Sequence, residues 1–141
     1  EAVVNFRILP GDTIDTVQAF VRQTIDDERI EVKPVGAGFN PSRLSSSQTQ
    51  AFKLVERTVR EVFPDSIVAP GLMLAASDAR HFDGISEASF RFMPIRFNND
   101  DLKRPHGTDE RIGTKQLADM VRFYHRLLQQ AAGSSSEGNK P

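Results

Sequence analysis

The chain has 141 residues, a formal net charge of -1 and 38% hydrophobic residues, enough for one ordinary domain or for pieces of two. That balance suggests neither nucleic acid nor an anionic membrane as a partner, and no apolar run approaches the roughly 18 residues a spanning helix needs. No cysteine is present, so disulfides and thiolate metal sites are excluded, while the cell compartment stays unread.

Residues 2–8, Ala-Val-Val-Asn-Phe-Arg-Ile, alternate as a strand does, with Val4, Phe6 and Ile8 on one face and Val3, Asn5 and Arg7 on the other. Glu1 leads straight into this run, so the start is expected to be a cut inside a longer protein. Pro10-Gly11 ends the strand, and Asp12 or Thr13 is placed to cap a helix. Ile14, Val17, Val21 and Ile25 recur at helical spacing, with Phe20 beside them. Residues 30–35 alternate again, as an edge strand because Pro34 has no N–H for a ladder. A strand–helix–strand unit over residues 1–38 is the expectation.

Residues 36–47 are rich in Gly, Asn, Pro and Ser, and the linker is assigned to residues 39–46. A helix is predicted from about Ser47 to Phe63, with Ala51 or Phe52, Val55, Val59, Val62 and Phe63 as its buried stripe. Glu56 and Arg60 form an i,i+4 pair on its wet side. Residues 67–74 read as a covered strand broken at Pro70-Gly71, and residues 88–97 as another strand. A last helix starts near Thr114, with Leu117, Met120, Val121, Tyr124, Leu127 and Leu128 inward and Lys115, Asp119, Arg122 and Arg126 outward. Gly133 is expected to end it, and residues 133–141 to be a disordered tail. The fold class is therefore α/β: a βαβ unit, then an α-β-β-α piece over residues 47–132.

The chemistry-bearing residues gather in loops. His106 stands between Pro105, which restricts the backbone, and Gly107, which frees it, so its imidazole can be aimed. Asp78 and Arg80 follow an apolar run, where open α/β sheets place their ligands. Arg80 can grip a carboxylate through a bidentate fork, and equally can brace the loop by pairing with Asp78. Arg7 projects from its strand beside apolar neighbours. His81 reads as packing, His125 as structural, and Glu110 as ordering its loop. Ser77 lacks any sequence context of a nucleophile.

Three stretches in this order carry a resemblance: Val4-Asn5-Phe6-Arg7-Ile8-Leu9-Pro10-Gly11-Asp12-Thr13, Ser77-Asp78-Ala79-Arg80-His81-Phe82 and Arg104-Pro105-His106-Gly107-Thr108-Asp109-Glu110. Together they resemble a lid strand, a Thr-Asp-Ser-Arg loop and a His-Gly-x-Asn-Glu loop of the carboxypeptidase S and aminoacylase-like zinc peptidases. The similarity runs to about Ala132. Ser77 stands for the usual threonine, Asp109 for asparagine, and Pro105 for isoleucine or valine.

The resemblance implies a parent enzyme with an α/β catalytic domain interrupted by a ferredoxin-like lid. Residues 1–38 would close the lid and residues 47–132 would return into the catalytic domain. It implies two zinc ions per site, with His106 the one metal ligand supplied here and no catalytic acid or base in this chain. It also implies that Arg80 holds a substrate carboxylate, with Asp78 and Arg7 as further substrate contacts. The expected substrate is a peptide or N-acyl amino acid. The middle strand of a split lid sheet is missing, so a homodimer or strand-exchanged oligomer is expected. The alternative is a non-catalytic α/β dimerisation or interaction module.

Overall fold

Thr13 begins the first helix, α1 (Ile14–Ile25), as its N-cap in this computed structural model, which describes residues 1–134. Its hydroxyl accepts from the Thr16 amide at 3.2 Å, and Thr16 Oγ1 accepts from the Thr13 amide at 2.8 Å. This reciprocal pair satisfies two donors that helix geometry leaves unpaired. Asp26 closes the helix in the left-handed region, φ 48°, with its N–H donating to the Arg22 carbonyl. Ile14, Val17 and Val21 are half-buried, but Phe20 and Ile25 lie exposed, and no residue of α1 is fully buried.

Two further helices follow: α2 (Gln50–Val62), capped by Thr49, and α3 (Thr114–Ser134). Short 3₁₀ turns span Asp78–Phe82 and Asp101–Lys103. Helix α3 continues through Gly133, which the sequence reading took as its end. Of the expected tail, residues 135–141 lie outside the described residues.

The chain divides into two compact units. One joins residues 1–45 to residues 72–89, and the other joins residues 46–71 to the chain from Phe90 onward. The second unit holds the core: Val59 and Phe63 of the α2 end meet Phe123 of α3, with Val55, Val62, Val68 and Leu127 packed around them. Phe123 is 1% exposed and meets Phe92 at 5.3 Å and Tyr124 at 5.4 Å between ring centroids. Thr58 is also fully buried, and its hydroxyl donates to the Leu54 carbonyl one turn back, so no polar atom is stranded there. A polar edge joins the same two helices: Glu61 accepts from Arg126 Nε at 2.6 Å and from Gln130 at 2.9 Å, while Arg57 donates to Gln130. Asp65 and Arg96 add a two-point ion pair.

Helix α3 is rotated from its predicted register. Asp119, expected on the wet side, is buried with Phe123, while Leu117, Val121, Tyr124 and Leu128 are exposed. Lys115 Nζ at 2.6 Å and Arg122 Nη1 at 3.0 Å make the buried carboxylate tolerable. The Lys115 hydrogen bond is the main reason its pKa lies below the ordinary aspartate range.

The α/β expectation is overturned. Among the described residues no segment forms a strand, so neither the βαβ unit nor the two later strands exist. Alternation marks a segment able to pair, but a strand needs a second segment supplying the ladder. Residues 2–8, 30–35, 67–74 and 88–97 find no such partner, and Pro34, Pro70 and Pro94 each remove a ladder donor. Their apolar side chains show the consequence: Val3, Val35 and Ile67 are exposed. In the first unit side-chain bonds hold the irregular segments instead. Asn40 Oδ1 accepts from the Ile14 amide at 3.0 Å, and Arg22 donates to the Val32 carbonyl. Arg43 donates to the Asp83 and Ser86 carbonyls, and Ser45 Oγ bridges the carbonyl and amide of Ser89.

Phe123→Ala should lower the unfolding free energy by about 3–5 kcal/mol, read by urea denaturation, because the cavity forms at the centre of the helix pair. Asp119 has a depressed pKa in the folded chain, so its stabilisation is present above the unfolded value and is lost as pH falls through the folded one. Between about pH 6 and pH 3 the melting temperature of Asp119→Asn should fall less steeply than that of the parent chain.

Candidate functional site

The loop around His106 is built by local bonds. Asn98 starts it, accepting the Asp101 amide through both its carbonyl and its side chain. Arg104 ends the short turn that follows and pairs with Asp101. The Gly107 amide then donates to the Arg104 carbonyl at 2.8 Å, closing a β-turn with Pro105 and His106 at its centre. His106 has φ 62°, the positive value the third position of a type II turn requires. Proline suits the second position because its ring already holds the needed φ. A Cβ on Gly107 would come within 3.1 Å of the Arg104 carbonyl, so a side chain there crowds the turn. A non-glycine residue in this region costs about 1–2 kcal/mol, and such strain tends to persist where a side chain has a task. The imidazole is exposed.

Zinc takes about four ligands. Among the described residues no three His, Cys, Asp or Glu side chains gather as a metal site, so the residues present do not by themselves fit a zinc ion. Asp109 of the same loop is paired with Arg111 at 2.8 Å, and His81 and His125 are exposed.

The second candidate lies in the other unit. Ser77 caps the Asp78–Phe82 turn by accepting from the Ala79 amide at 3.2 Å, and the Arg80 amide donates to the Ser77 carbonyl. The guanidinium of Arg80 sits 4.5 Å from the centre of the Phe39 ring. Its Nε is buried and has no hydrogen-bond partner among the described residues. A buried donor in that condition costs about 1–3 kcal/mol until an acceptor arrives. Asp78 is exposed and forms no ion pair with Arg80 among the described residues, so the bracing pair is not what holds the loop. Arg7 is exposed elsewhere in the same unit. Thus Asp78 and Arg80 share one turn, whereas His106 belongs to the other unit.

Phe39 escaped the sequence reading, because an aromatic within a Gly, Asn, Pro and Ser run reads as part of a linker. The signal available was its neighbour Asn40, a capping residue type with no helix directly after it. The strain at His106 predicts that His106→Gly raises stability by about 1 kcal/mol, whereas His106→Val lowers it, both read by thermal melting. Ser77→Ala should speed hydrogen exchange at the Ala79 amide about fivefold, and Ser77→Thr should not.

The sequence profile of Peptidase family M20/M25/M40 matches residues 3–130. A protein of Dictyostelium discoideum called "Probable carboxypeptidase S-like 2" is 37% identical over 127 residues, covering 90% of this chain and 24% of its own length. The Xenopus tropicalis "N-fatty-acyl-amino acid synthase/hydrolase PM20D1" is 35% identical over 129 residues, 91% of this chain and 25% of its own length. The human protein of that name is 34% identical over 134 residues, 93% of this chain and 26% of its own. The chain thus spans about a quarter of the length of these relatives. No solved structure matches it. A match over nearly all of its length, with both loops inside the matched span, makes this chain a member of peptidase family M20/M25/M40.

Proposed function

We propose that this chain is the C-terminal part of a di-zinc hydrolase that cleaves, or forms, an amide bond next to a free carboxylate. The observation that carries the reading is His106 held at φ 62° at the centre of a tight turn, inside the span matched by the family. The relatives named as probable carboxypeptidase S-like and as N-fatty-acyl-amino acid synthase/hydrolases support the bond type and the carboxylate.

In this reading His106 is one metal ligand and the others come from parts of the protein outside this chain. Arg80 receives the substrate carboxylate, because a guanidinium with a buried, unpaired Nε gains a charge-assisted bond when an anion arrives. Asp78 and Arg7 approach the remainder of a peptide or N-acyl amino acid. The chain alone hydrolyses nothing, since one imidazole cannot hold a metal ion. Self-association belongs to the same proposal, through the exposed Val3, Val4 and Phe6 of the first unit.

In the whole protein, His106→Ala should lower kcat/KM on an N-acyl amino acid by more than the about 10–100-fold that loss of an outer partner of a metal costs. Retained activity would overturn the ligand role. The 141-residue chain by itself should release no free amino acid from that substrate, and measurable release would overturn the claim that the site is completed elsewhere.

A further inference from the structure

We infer that Phe39 is a positioning residue for Arg80: its ring fixes the plane of the guanidinium so that the N–H edge faces an incoming carboxylate. The inference rests on the proposed role of Arg80 and adds the residue that aims it.

Three observations carry it. The Arg80 carbon between the guanidinium nitrogens stands 4.5 Å from the centre of the Phe39 ring. A cation over an aromatic face is held without using its N–H groups, which point outward in the guanidinium plane and stay free to donate. Arg80 Nε, buried and lacking a partner among the described residues, is such a free donor. An arginine braced through this atom to its own loop would have spent the donor, and Asp78 does not take it among the described residues.

The segment that follows the ring is anchored at two points. Immediately after it, Asn40 Oδ1 accepts from the Ile14 amide at 3.0 Å, tying this segment to the start of α1. A little further on, the Arg43 amide donates to Asp83 Oδ2 at 3.2 Å, and its guanidinium donates to the Asp83 and Ser86 carbonyls. Asp83 follows directly on the turn that carries Arg80. The segment bearing Phe39 and the turn bearing Arg80 are therefore clasped together beside the stacked pair. Phe39 is 60% exposed, so packing of a hydrophobic interior does not account for its placement.

The experiment is a steady-state comparison in the whole protein of two substrates differing in one group, an N-acyl amino acid and its C-terminal carboxamide. Phe39→Leu keeps an apolar side chain and removes the ring. It should raise KM for the carboxylate substrate about threefold, leave kcat unchanged, and leave the carboxamide's KM unchanged. Phe39→Trp should restore the carboxylate KM, which a role in packing alone would not produce. Arg80→Ala should abolish the preference for the carboxylate. If Arg80→Ala abolishes the preference and Phe39→Leu leaves it intact, Arg80 keeps its role and the inference about Phe39 fails. If Phe39→Leu raises KM equally for both substrates, the residue serves the fold and the inference fails. If Arg80→Ala leaves the preference untouched, the reading of Arg80 falls and this inference falls with it.

Discussion

The second unit depends on one contact, the Phe123 ring of α3 lodged against Val59 and Phe63 at the end of α2. Few residues are fully buried, so no other apolar cluster can substitute for it. Several other contacts of that unit gather around this ring. Phe92 and Tyr124 meet it edge-on or tilted, the Glu61, Arg126 and Gln130 bonds run along the helix edge, and Arg96 bridges to Asp65 and lies 5.5 Å from the Phe63 ring centre. The ring also sets the rotation of α3, which brings Asp119 inward and leaves Leu117 and Val121 in water. The carboxylate is then held by two cations from its own helix, because a buried charge must be paired.

The first unit is built on a different principle. None of its apolar side chains among the described residues is fully buried, and its long-range order comes from hydrogen bonds that side chains make to backbone. Such bonds are individually worth about 0.5–1.5 kcal/mol. It is also where Arg80 Nε, a buried donor without a partner among the described residues, sits. There hydrogen bonds between side chains and backbone, not an apolar core, hold the loop that carries this donor.

His106 illustrates the converse case. Its placement rests on local bonds: a proline, a glycine and one backbone hydrogen bond put it in the left-handed region. A histidine gains nothing energetically from that backbone, and glycine would occupy it at lower cost. The turn therefore fixes the direction of an imidazole at a cost in stability, within the span matched by the M20/M25/M40 peptidase family.

The residues alone determined what depends on near neighbours. Threonines at positions 13 and 49 start helices because their hydroxyls reach an amide three residues on, and Pro105-His106-Gly107 makes its turn by backbone sterics. The α2 stripe is legible for the same reason, since one helix face is set by its own period. Tertiary structure decided the rest. Whether an alternating segment becomes a strand depends on a second segment lying beside it, and none does among the described residues. Which face of α3 turns inward depends on what α2 offers it, and which aromatic meets Arg80 depends on clasps between segments far apart in the chain. Local sterics are written in adjacent residues, whereas pairing and packing are properties of two surfaces, and a single sequence window contains only one of them.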